Sequence, residues 1–169
     1  SVPNGATFLR VVTSETSNPS PCGTYTNGET EDYSIELFTH CTSEATWNFD
    51  TKIDSVGLNT IHQSSPSSTC EAYTNNTNIS TDLATGASYT LSVKHGSCGG
   101  NYNNYQRAWI DYNKDGIFDD PSERILDDSI FTPGGVSSNY FMVPGTATVG
   151  STKMRVVLSE DRNPSPCGA

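Results

Sequence analysis

The sequence predicts an all-β fold, an antiparallel two-sheet β-sandwich of the jelly-roll or immunoglobulin-like kind. Three observations lead there. Apolar residues come in short runs with period-two alternation, the spacing of side chains on a half-buried strand. Between the runs lie 14 Gly, 9 Pro and many Ser, Thr and Asn, the residues of turns. No stretch sustains a 3.6-residue pattern.

The alternation is clearest in TFLRVVTSE (7–15), DYSIELF (32–38), YTLSVKH (89–95) and KMRVVLS (153–159). Shorter runs predict strands at 45–49, 53–58, 106–112, 124–130 and 138–143. Asn27-Gly28 reads as a two-residue hairpin turn, with φ > 0 at both positions. Pro-Gly at 133–134 and 144–145 marks further turns.

At 169 residues the chain has room for one domain, or a domain and a fragment. Net charge is −10. No basic stripe is available to neutralise phosphates, so nucleic acid and anionic membrane surfaces are not expected partners. No run approaches the roughly 18 apolar residues of a membrane span, and insertion is not expected. The N-terminus carries no basic-then-apolar leader, so the chain reads as a mature or internal piece.

An internal repeat organises the rest. RVVTSETSNPSPCG (10–23) returns as RVVLSEDRNPSPCG (155–168), an offset of 145 residues with three differences in fourteen positions. The chain therefore reads as a window on a tandem array. Residues 1–37 are the C-terminal strands of one repeat, and 38–169 are the next repeat without its last strand. Residues 29–37 either fold back as that missing strand, the expected outcome because an open sheet edge recruits one, or belong to the preceding repeat and are left unpaired here.

The cysteines are Cys22, Cys41, Cys70, Cys98 and Cys167. Cys22 is the repeat copy of Cys167, which leaves four per repeat. With no metal-type Cys or His spacing, an even count points to disulfides and an oxidising compartment. The expected pairs are Cys41–Cys70 and Cys98–Cys167, contributing about 3–4 kcal/mol each by loop entropy.

WIDYNKDGIFDDPSE (109–123) is the most chemically specific segment. Oxygen side chains alternate at Asp111, Asn113 and Asp115, and Gly116 then permits a sharp turn. That spacing lets a short loop wrap a hard cation, and Ca²⁺ takes 6–8 oxygens at about 2.3–2.6 Å. The expected ligands are the side chains of Asp111, Asn113, Asp115 and Glu123 and the Ile117 carbonyl, with Asp119 or Asp120 in reserve. Glu123 falls one residue beyond the EF-hand position and the flanks read as strands, so this is an EF-hand-like loop on a β scaffold. A second acidic cluster, Glu29, Glu31 and Asp32, either completes another calcium site or pairs with Arg107 or Arg155.

GETEDY (28–33), Cys41, WIDYNKDGIFDD, the VP turn at 143–144, TKMRV (152–156) and PCG (166–168) together resemble the GEVED domain family, with Thr30 in place of the motif's Val. The resemblance implies a β-sandwich on large secreted or cell-surface bacterial proteins, often of Bacteroidetes adhesins, where the domain is not itself catalytic. No HExxH, GxSxG, P-loop or Rossmann pattern occurs, and His40, His62 and His95 have no zinc-type spacing.

The expected function is an extracellular, calcium-stabilised structural or adhesive repeat of a stalk or filament. Its partners would be neighbouring repeats or copies of itself, joined head to tail or by strand exchange. The alternative is a calcium-dependent carbohydrate-binding module accessory to a secreted enzyme. Tyr102 and Tyr105 in NYNNYQ (101–106) would then stack on cell-surface glycans. Ser55 and Ser129, each following an Asp, resemble O-glycosylation acceptors of Bacteroidetes. Asn75 and Asn78 fit the N-glycosylation pattern.

Overall fold

The computed structural model describes residues 5–15, 18–37, 40–65, 69–118, 122–130 and 134–168. They form two compact units, Ser1–His40 and Cys41–Ala169. All sheet pairing is antiparallel.

The small unit holds β1 (Gly5–Ser14) and β2 (Gly28–Leu37), paired without interruption from Gly5↔Leu37 to Ser14↔Gly28. The GETEDY strand thus pairs with β1. The expected fold-back of 29–37 is not among the strand pairings of the described residues. Phe8, Leu9, Val11 and Tyr33 stay exposed, so this two-stranded sheet has apolar side chains uncovered on both faces. Asn27-Gly28 is not the two-residue turn expected. The strands are joined through residues 15–27, and Asn27 does not take a positive φ. Gly28 is needed for another reason. Its φ is 149°, and a Cβ there would collide with the Thr13 carbonyl oxygen across the ladder. Gly28→Ala is expected to cost the strand pair about 1–3 kcal/mol, read as faster amide exchange along β1 and β2.

The larger unit holds a four-stranded and a three-stranded sheet. The first has the order β4 (Ile61–Ser64), β3 (Thr51–Leu58), β5 (Ser88–Ser97), β8 (Val136–Met142). The second runs β7 (Arg124–Ile130), β6 (Asn104–Ile110), β9 (Met154–Ser159). One core joins them: Leu58, Leu91, Val93 and Phe141 come from the first sheet, and Ala108, Ile110, Ile125 and Leu126 from the second. A two-residue hairpin is formed by Asn59-Thr60 between β3 and β4, with Asn59 at φ 50°. Residues 45–49 form no strand. Trp47 and Phe49 are exposed there, with ring centroids 6.0 Å apart, and make no ladder.

The disulfides correct the expected pairing. Cys41 bonds Cys167 and Cys70 bonds Cys98, with Cα atoms 5.5 and 6.0 Å apart. The reason is tertiary. Ser43 bridges Gly168, Glu44 donates its N–H to Gly168 O and Gly168 donates its own to Thr42 O, which brings the two ends of the unit together. Cys98 donates its N–H to Asp50 O just before β3, and Asn48 in the same stretch donates from Nδ2 to Cys70 O, which brings Cys98 to Cys70 instead of Cys167. Cys22 is free and exposed.

Candidate functional site

The loop after β6 begins where the sheet ends. Asp111 donates its N–H to Lys153 O, and Ile110 to Glu123 O, so the neighbouring strands pin both ends of the loop. The side chains of Asp111 and Glu123 are buried, whereas Asn113, Asp115 and Ile117 are exposed. Glu123 Oε1 accepts from the backbone N–H of Tyr112 at 2.7 Å and of Asn113 at 3.3 Å. Asp111 Oδ2 accepts from Gly116 N at 3.1 Å. Asn113 Oδ1 accepts from Asp115 N, and Asp115 Oδ1 from Ile117 N, so each side chain turns the chain two residues on. Lys114 and Gly116 take the positive φ values, 62° and 81°, that the wrap requires.

Burial, and then the Glu123 carboxylate, push the Tyr112 phenol up to about 12. The predicted donors are all oxygen, a set that fits a hard divalent cation and not zinc. Asp119 and Asp120 lie outside the described residues. Among the described residues, no group of three or more His, Cys, Asp or Glu is arranged to hold a metal ion.

The second acidic cluster resolves differently. Asp32 pairs with Arg10, Nε and Nη2 each donating to one carboxylate oxygen at 2.6 Å. Arg10, and neither Arg107 nor Arg155, is its basic partner. Glu31 accepts from the Tyr33 hydroxyl. Arg107 instead bonds Asp127, Asn163 Oδ1 and Pro164 O. Arg155 donates to Cys41 O and Pro166 O and lies 4.9 Å over the Phe118 ring.

Of the two tyrosines, Tyr102 is half exposed. Tyr105 sits on β6 with Arg162 over its ring and donating to its hydroxyl at 3.0 Å. Ser55 lies mid-strand in β3 and Ser129 in β7, while Asn75 and Asn78 are both exposed in the loop after Cys70.

One feature had no signal in the pattern of the chain, and a second follows from the repeated segment. His95, Asn104, Gln106 and Ser137 are buried polar residues on core-facing positions of β5, β6 and β8, with Asn104 Nδ2 3.0 Å from His95 Nε2. The other is that both copies of the repeated segment fold alike. Arg10 donates to Pro21 O as Arg155 does to Pro166 O. Ser20 Oγ caps Cys22 N, and Ser165 Oγ caps Cys167 N, each at 3.2 Å. Asn18 and Asn163 share a left-handed φ of 57° and 59°.

A sequence profile of the GEVED domain matches residues 1–36 and 105–169, more than half of the chain. The chain belongs to the GEVED domain family. One matched stretch of this GEVED chain contains GETEDY on β2, and the other contains the 111–123 loop together with β6, β7 and β9. GEVED domains are non-catalytic adhesin repeats of secreted and cell-surface proteins, which makes this an extracellular module and not an enzyme. No curated protein and no solved structure matches the GEVED chain. No helix among its described residues is long and apolar enough to cross a membrane.

Proposed function

We propose that this GEVED chain is a structural and adhesive repeat of an extracellular stalk or filament. In this reading its larger unit is a jelly-roll or immunoglobulin-like sandwich stiffened by one Ca²⁺ in the 111–123 loop. The observation that carries the reading is a pair of buried carboxylates, Asp111 and Glu123, at the two ends of one loop. Burying carboxylates costs several kcal/mol per ion, and a divalent cation offsets that cost. Asp111, Asn113, Asp115 and Glu123 would hold the ion through side chains and Ile117 through its carbonyl. Bound there, the ion supplies rigidity and no chemistry. The partners in this reading are neighbouring repeats or further copies of the chain.

The glycan-binding alternative is weaker. Arg162 covers the face of Tyr105, which leaves Tyr102 as the stacking surface.

Melting in Ca²⁺ and in chelator tests the proposal. At a hundredfold excess of ion over Kd, stability should rise by about 2.7 kcal/mol, roughly 5–11 °C in Tm. Asp111→Ala should abolish the increment. A melting temperature indifferent to Ca²⁺ and chelator removes the ion from the account.

A further inference from the structure

We propose that the outer edge of β9 is a docking site for strand β2 of a second copy of this chain. The strand would lie antiparallel, with Asp32 of the incoming copy opposite Arg155. This rests on reading the chain as a repeat module, and is independent of the calcium loop.

The first support is the repeat itself. β1 and β9 carry the two copies of the RVV segment, and β1 already holds a GETEDY strand. β9 is the edge strand of its sheet, paired among the described residues with β6 alone and half-buried along its whole length.

The second is which edge is open. Along a strand, successive residues turn their N–H and C=O to opposite sides. Lys153 O accepts from Asp111 N, so odd-numbered residues of this strand face β6 and Met154, Val156 and Leu158 face outward. Glu15 N donates to Asn27 O, so odd-numbered residues of β1 face β2. The offset of 145 is odd. Leu9, Val11 and Thr13, which face β2, therefore correspond to Met154, Val156 and Leu158. The edge of β1 that holds GETEDY is the edge that β9 leaves open.

The third is an arginine. Arg10 makes two kinds of bond, one to the Pro21 carbonyl and two to the Asp32 carboxylate. Arg155 reproduces the first with Pro166, but has no carboxylate partner among the described residues. Consistently, the Asp32 hydrogen bond raises the Arg10 guanidinium, whereas burial lowers that of Arg155. Shifting the β1–β2 register by the repeat offset supplies the missing partner: Tyr33 falls opposite Met154, Asp32 opposite Arg155, Thr30 opposite Val157 and Gly28 opposite Ser159. A donor strand is also available. A two-stranded sheet with both faces uncovered is marginal in water, so β2 exchanges readily onto a sheet that has a core.

Cross-linking tests the docking and its register together. In full-length chains carrying Cys22→Ser, a Thr30→Cys copy is mixed with a Val157→Cys copy under mild oxidation. The 30–157 pair would be a non-hydrogen-bonded pair, where the Cα atoms are close enough for a disulfide. A 30–157 dimer should then form at least about tenfold faster than a 34–157 dimer from Ser34→Cys. Equal rates, or no dimer, overturn the proposal. So does a Thr30→Cys/Val157→Cys chain that links only to itself, because the occupant would then be its own β2. In the unmodified chain, amide exchange at Met154, Val156 and Leu158 should slow at least about tenfold with rising protein concentration while Arg155 and Val157 stay unchanged. Exchange independent of concentration also overturns it. Either failure leaves calcium-dependent melting intact, so the two proposals fail separately.

Discussion

Chains in which both Cys41 and Cys167 are replaced by serine should lose about 5 kcal/mol of stability in the larger unit. The bond closes a loop with a sequence separation of 126, and chain-entropy cost grows with the logarithm of loop length. The Cys70–Cys98 bond spans only 28, so its removal should cost about 3.6 kcal/mol. The difference between the two double variants, about 1.3 kcal/mol, is the informative quantity. Urea titrations of both variants read it directly. Equal losses would mean that native contacts at the bonds, and not the unfolded chain, set their contribution. The longer bond also has a local role. Arg155 donates to Cys41 O at 2.8 Å, so the cross-link holds the segment that anchors an arginine of β9.

Trp109→Ala should cost about 3–5 kcal/mol, enough to unfold a marginal domain. Trp109 is fully buried, although it points away from the core-facing Ala108 and Ile110 of the same strand. It shares its face with Arg107 and, across the ladder, Arg155. Both arginines bond the 163–166 segment, which closes over that side of the sheet. Truncation would therefore open a cavity between sheet and loop and loosen the repeated NPSPCG segment with it. The indole N–H has no hydrogen-bond partner among the described residues, so Trp109→Phe should cost only about 1 kcal/mol. Thermal unfolding of the two variants separates packing from polarity. A phenylalanine variant as unstable as the alanine variant would refute the packing account.

Much of the strand pattern was legible in the chain. The alternation at 7–15, 89–95 and 153–159 falls on β1, β5 and β9, and in β5 it follows burial, with Leu91, Val93 and His95 inside and Thr90 and Lys94 exposed. The 45–49 run misled for the opposite reason: Trp47 and Phe49 are apolar but exposed, and composition cannot report burial. β4 escaped notice because four residues are too short to show a period. Asn27-Gly28 carries a turn signature, yet Gly28 is required by the close approach of the Thr13 carbonyl. In the candidate site, the order Asp111, Asn113, Asp115, Gly116 was readable because its side chains cap nearby backbone N–H groups, Asn113 and Asp115 two residues on and Asp111 that of Gly116. The burial of Asp111 and Glu123 was not, since it depends on how β6, β7 and β9 close around them.

The all-β class, the 145-residue repeat, the oxygen-rich loop and the family can be read along the chain, because each is a matter of local order. Which cysteines meet, that Arg10 and not Arg107 or Arg155 neutralises Asp32, and which edge of β9 stays unpaired among the described residues emerge only on folding. Those are pairings between residues far apart in the chain. Spacing says nothing about them, and folding brings together whichever groups the sheets place side by side.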